Sequence, residues 1–139
     1  MAVNLKAPVA EDILPVSGVV LGTAEAGIKK VGRKDLMLME LAPGSKVAGV
    51  FTKNRFAAAP VQICREHLLE TNDIRAIVVN TACANAGTGL TGLHDAEETC
   101  QAVADIFNTL PIKVLPFSTG VIMEPLPMTK LLAGIPKAA

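Results

Sequence analysis

Apolar and polar positions cluster differently along the chain, and each pattern predicts an element. Residues 74–80 read IRAIVVN, a run of β-branched residues that predicts a strand buried on both faces. Further on, Leu93, Ala96, Cys100, Val103 and Phe107 recur at three- and four-residue steps, which places one apolar stripe along a helix. Pro111 ends that helix. Residues 112–117 form the next strand, Ser118 to Gly120 a turn, and residues 126–132 open a further helix with Pro125 and Pro127 near its N-terminus. Strand, glycine-rich loop, helix, strand, turn, helix is an α/β order.

The first half is less regular. Residues 16–22 predict a strand interrupted by glycines, and residues 24–34, with Gly27 and Gly32, a loop. Residues 35–41 (DLMLMEL) and 46–53 (KVAGVFTK) are strand candidates on either side of Pro43-Gly44-Ser45, so the pair predicts a β-hairpin. Residues 61–64 read as extended and 65–70 as a short helix. Residues 1–12 read as a loosely docked start. No internal repeat or low-complexity tract occurs.

Composition narrows the function classes. The 139 residues fit one domain or part of a larger one. Half are apolar and 19% are charged, below the roughly one quarter of a typical soluble domain. That balance points to apolar surface meant to be covered by more chain or by a partner. Formal charge is zero, and the largest cation cluster is Lys29-Lys30 with Arg33 and Lys34. With no basic stripe, no Trp and no Tyr, nucleic acid is excluded as a partner. Cys64, Cys83 and Cys100 are odd in number and lack C-x-x-C spacing, which argues against a disulfide framework or a thiolate zinc site and for a cytoplasmic location. Residues 1–11 carry one Lys and no long apolar run, so they do not read as a signal peptide. The longest apolar stretch, residues 16–24, falls well short of the ~20 residues that cross a bilayer, so no membrane partner is expected.

Few side chains offer chemistry. Gly87-x-Gly89-x-x-Gly92 lies between a strand and a helix, like a dinucleotide fingerprint. Gly87, however, comes seven residues after the strand ends at Asn80, and the next strand ends in Pro116-Phe117 instead of an acid. The segment therefore reads as a helix entry, and no cofactor is expected. His94 and Glu98 share one helix face. Asp95, Glu97 and Glu98 suit the first turns of that helix. No metal site is expected. Cys83 reads as a buried thiol. In Ser118-Thr119-Gly120, a hydroxyl and a bare backbone N–H follow a strand directly, the two donors an acyl-transfer oxyanion needs.

Several segments together resemble a known family. They are Phe51-Thr52-Lys53-Asn54-Arg55-Phe56-Ala57-Ala58-Ala59-Pro60-Val61, Ile77-Val78-Val79-Asn80, Ala84-Asn85-Ala86-Gly87-Thr88-Gly89 with Gly92 and Asp95-Ala96, and Phe117-Ser118-Thr119-Gly120-Val121-Ile122 with Leu126-Pro127. In this order, from about Gly18 onward, they resemble the ornithine acetyltransferases, the bifunctional glutamate N-acetyltransferases of arginine biosynthesis. The resemblance implies a layered sheet-and-helix fold of the N-terminal-nucleophile type. It implies acetyl transfer from N2-acetylornithine to L-glutamate, in some members also from acetyl-CoA. The family's precursor cuts itself before a threonine, which becomes the nucleophile of a β chain, and the halves assemble as an α2β2 heterotetramer. Thr119 and Gly120 would then form the oxyanion hole. The Gly/Met-rich cleavage segment ending Ala-Thr-Met-Leu does not occur in these residues. The expectation is therefore an α-chain portion without the nucleophile, inactive alone. A non-catalytic binding or scaffold subunit on the same fold is the alternative, and a nucleotide-binding module a weaker one. The family usually has Gly where Ala82 stands and often Asn at Cys83.

Overall fold

The computed structural model describes Lys6 and residues 8–139, so part of the start read above as loosely docked and free of a signal peptide lies outside the described residues. Along the chain come β1 (Val19–Ala24), β2 (Leu36–Leu41), α1 (Ala59–Glu70), β3 (Ala76–Asn80), α2 (Gly89–Ile106), β4 (Val114–Ser118) and α3 (Met128–Ala138). The strands form one sheet in the order β1-β2-β3-β4. β1 and β2 pair antiparallel, as do β2 and β3, whereas β3 and β4 run parallel from Ala76↔Val114 to Asn80↔Ser118. A parallel pair needs a crossover, and the apolar stripe of α2 supplies it. The α/β order read from the sequence is the order of the fold.

Alternation fixes the faces. Leu36 and Leu38 of β2, Ala76 and Val78 of β3 and Val114 of β4 join Ala96, Cys100, Val103 and Ala104 of α2 and Leu131 and Ile135 of α3 in the main core. A side chain such as Leu38 or Ile135, at most 1% exposed, contributes about 1.5–3 kcal/mol by leaving water. The opposite face carries Met39, Leu41, Ile77 and Leu115 and is covered only in part, by Cys64 and Leu68 of α1 and by Val47 and Phe51. Among the described residues, no helix is long and apolar enough to cross a membrane.

Four local expectations are corrected. Residues 46–53 are not the hairpin partner of β2, because β1 and β3 occupy both of its edges. They lie instead as irregular chain over the second face. There the Arg65 guanidinium stands 5.5 Å from the Phe51 ring centroid, and its Nη2 donates to Thr52 O at 2.9 Å. The helix expected at 65–70 begins at Ala59, with Pro60 in its first turn, so residues 61–64 are helical rather than extended. β3 is not buried equally on both faces: Ala76, Val78 and Asn80 are buried, whereas Ile77 and Val79 under the thinner cover are half-buried. α2 starts at Gly89, so Asp95, Glu97 and Glu98 lie beyond its first turn, which holds no acid.

Candidate active site at the ends of β3 and β4

Parallel strands that end side by side leave a crevice between the loops that follow. β3 and β4 end together at Asn80↔Ser118, and their loops remain paired. The Thr119 N–H donates to Asn80 O (3.1 Å), the Val121 N–H to Ala82 O (3.0 Å) and the Ala84 N–H to Val121 O (2.9 Å). Side chains brace the same rim. Ser118 Oγ donates to Asn80 Oδ1 at 2.6 Å, and Asn80 Nδ2 donates to Cys83 O at 3.0 Å.

Gly120 stands between two bonded amides, yet its own N–H makes no hydrogen bond among the described residues. Its φ is +136°, and a Cβ there would run into the backbone of Ala82. The position therefore needs glycine on both conformational and steric grounds. Thr119 beside it is exposed, and its hydroxyl has no partner among the described residues. The two residues singled out in the sequence thus carry adjacent, uncommitted donors.

Gly120 also lines a pocket of ≈ 270 Å³ with Lys29, Lys30, Arg33, Thr81 and Ala82. Thr119 is not among the lining residues. The loop between β1 and β2 is held by Asp35, 2% exposed, whose two carboxylate oxygens accept the Ala26 and Ile28 N–H groups at 2.7 Å each. Lys29 Nζ lies 2.6 Å from Glu124 Oε2, tying that loop to the segment after β4. Sequence reasoning treated Lys29, Lys30 and Arg33 only as the largest cation cluster and missed their place beside Gly120. An acid at the junction of a glycine loop and a strand was the available signal, since carboxylates commonly organise such loops by accepting backbone N–H groups.

Ala82 has φ +82°, a region that costs a residue with a Cβ roughly 1–2 kcal/mol. That is a physical reason for glycine at this position. Glycine also loosens the unfolded chain, at a cost of about 0.4–1 kcal/mol. Ala82→Gly is accordingly expected to raise stability by up to about 1 kcal/mol in urea unfolding. A clear loss of stability would show that packing of the Ala82 methyl outweighs the strain.

The glycines after β3 serve the chain's own packing. A Cβ at Gly87 would sit 3.0 Å from Met123 Cγ and 3.2 Å from Phe56 Cζ. Gly92 abuts the side chains of Thr88 and Asn85. Thr88 Oγ1 donates to Asn85 Oδ1 and Asn85 Nδ2 to Gly92 O, both at 2.7 Å. Asn85 is fully buried and locks the entry to α2. Other reactive groups are committed elsewhere. His67 Nδ1 lies 2.7 Å from Val114 O. Burial pushes the Cys64 and Cys100 thiols up to about 12, and it also raises that of Cys83. His94, Asp95 and Glu98 bring their ligand atoms within 4.8 Å of one another on α2, with Asp95 buried and the other two exposed.

A model of the ArgJ family matches residues 20–139. Two solved structures are similar to the chain. The arginine biosynthesis bifunctional protein argJ of Bacillus halodurans is 34% identical with a TM-score of 0.79, over 84% of this chain and 61% of that one. The ornithine acetyltransferase of Mycobacterium tuberculosis, solved in complex with ornithine, is 39% identical with a TM-score of 0.81, over 86% of this chain and 64% of that one. The chain therefore spans less than two thirds of the length of these relatives.

Proposed function

The chain belongs to the ArgJ family, and on that premise we propose that it supplies the oxyanion-binding part of an acetyltransferase of arginine biosynthesis. The reaction moves acetyl from N2-acetylornithine to L-glutamate. The nucleophile is a threonine on a β chain cut from the same precursor, and the working assembly is an α2β2 heterotetramer in the cytoplasm.

The chemistry follows from what each group can hold. The threonine hydroxyl, its proton taken by its own α-amine, attacks the acetyl carbonyl of N2-acetylornithine. Negative charge develops on the carbonyl oxygen, where the Thr119 hydroxyl and the Gly120 N–H donate to it. The C–N bond breaks, ornithine leaves with the proton, and the acetyl group stays on the threonine as an ester. The glutamate amine then attacks that ester through the same two donors, giving N-acetylglutamate and free threonine. The observation that carries the reading is the uncommitted donor pair Thr119–Gly120, between bonded amides at the end of β4.

Acetyl-labelled N2-acetylornithine, given to the complete protein without acceptor, is expected to leave label covalently on the enzyme, and glutamate to discharge it. Initial rates with both substrates varied should give the parallel lines of a ping-pong scheme. Absence of both labelled protein and labelled glutamate would end this reading.

A further inference from the structure

Asn80 closes β3 and touches both loops of the rim that carries Thr119 and Gly120. It is 3% exposed. Its backbone O accepts the Thr119 N–H at 3.1 Å, and its Oδ1 accepts the Ser118 hydroxyl at 2.6 Å. Its Nδ2 donates to Cys83 O at 3.0 Å and, more weakly, to Thr81 O at 3.4 Å. A carbonyl oxygen can only accept, so the amide nitrogen must face Cys83, Oδ1 must face Ser118, and the Ser118 hydroxyl must donate. Thr81 and Cys83 flank Ala82, so one amide group spans the residue held at φ +82°. A backbone in so sparsely populated a region persists only where its surroundings hold it. Ala82 in turn sets Gly120: its backbone fills the space a Gly120 Cβ would need, and its O accepts the Val121 N–H at 3.0 Å. Contacts therefore run from Asn80 through Ala82 to the Gly120 amide, and from Asn80 through Ser118 to Thr119.

We propose that Asn80 is a positioning residue for acetyl transfer, whose buried side chain, together with the Ser118 hydroxyl, aims the Thr119 and Gly120 donors without touching substrate. The proposal rests on the acetyl-transfer reading above. Strand pairing fixes where β3 and β4 end, but the direction of the Gly120 N–H depends on the strained loop opposite it. Direction matters because a donor helps only at about 2.7–3.1 Å from the place the oxyanion will occupy. A displacement of about 1 Å can cost about 10²-fold in rate.

In the complete acetyltransferase, Asn80→Ala removes both side-chain bonds and is expected to slow turnover by about 10–100-fold. Ser118→Ala removes one of them at a half-buried position and should slow turnover by about 3–10-fold. Ser118→Thr keeps the hydroxyl and should restore most of the rate. Single-turnover measurements separate positioning from a general loss of structure. Loading of acetyl from N2-acetylornithine and its discharge to glutamate use the same two donors. Both should slow by a common factor, with the substrate concentration at half-maximal rate little changed. A folded Ser118→Ala enzyme with wild-type rates in both half-reactions overturns the proposal, whether or not Asn80→Ala folds. A loss confined to one half-reaction, or one expressed as weaker substrate binding, overturns it too, as does a Ser118→Thr enzyme as slow as Ser118→Ala. With Thr119→Ala slow, those results remove the brace and leave the donor pair standing. A wild-type enzyme that transfers no acetyl removes the acetyl-transfer reading and the brace together.

Discussion

Thr119→Ala in the complete acetyltransferase is expected to lower turnover by roughly 10²–10³-fold, the usual cost of one lost oxyanion donor, about 2.7–4 kcal/mol of barrier. The fold should survive. The Thr119 side chain is exposed and makes no hydrogen bond among the described residues, and the bond its backbone N–H donates to Asn80 O at 3.1 Å is available to alanine. Thermal unfolding of the variant should therefore stay close to that of the wild type. Gly120→Pro removes the other donor, but proline fixes φ near −65°, far from the +136° found here, so it distorts the turn as well. For that reason the alanine variant at 119 is the cleaner measurement. A folded Thr119→Ala enzyme with near-normal turnover would take the hydroxyl out of the mechanism and leave Thr119 as a turn residue.

The sequence was most legible where one pattern dominates. The β-branched run ending at Asn80 and the stripe from Leu93 to Phe107 name β3 and α2, because a buried strand and an amphipathic helix each require their own period. The turn after β4 is legible as well, so the residue pattern alone puts Thr119 and Gly120 at a strand end. Local pattern failed where pairing is decided at a distance. Residues 46–53 look like a strand beside DLMLMEL, but both edges of β2 go to strands remote from it in sequence or joined by a long loop. The start of α1 is hidden because Ala57, Ala58 and Ala59 before Pro60 show no apolar period, although proline suits a first helical turn. The cations beside Gly120 come from the loop between β1 and β2, some ninety residues earlier in the chain, and no spacing rule links the two. Ala82 shows the opposite case. A departure from the family's usual residue was visible in the sequence, and its meaning, a left-handed backbone at φ +82°, needed the structure.

A protein of these 139 residues alone is expected to show no transfer of acetyl from N2-acetylornithine to glutamate. Oxyanion donors lower a barrier only when something attacks, and a two-step transfer needs a group that carries the acetyl between the halves. The described residues offer poor candidates. Cys64 and Cys100 are buried with thiols pushed up to about 12, so almost no thiolate exists at neutral pH, and burial raises the Cys83 thiol too. His67 is tied to the β4 backbone at Val114 O and is not placed to activate a hydroxyl at the rim. The second face of the sheet points the same way. It borders an apolar cavity of ≈ 500 Å³ lined by Val47, Phe51, Ile77, Leu115 and Phe117, and Leu21 and Phe117 are 59% and 47% exposed. Apolar surface of that extent favours self-association in isolation. Size-exclusion chromatography of the 139-residue protein should therefore show species larger than a monomer. Co-expression with the remaining length found in its relatives, as one chain or as a separate partner, should give a soluble complex that transfers acetyl. Robust transfer by the 139 residues alone would sink the division of labour proposed here, because the nucleophile would then have to lie among these residues.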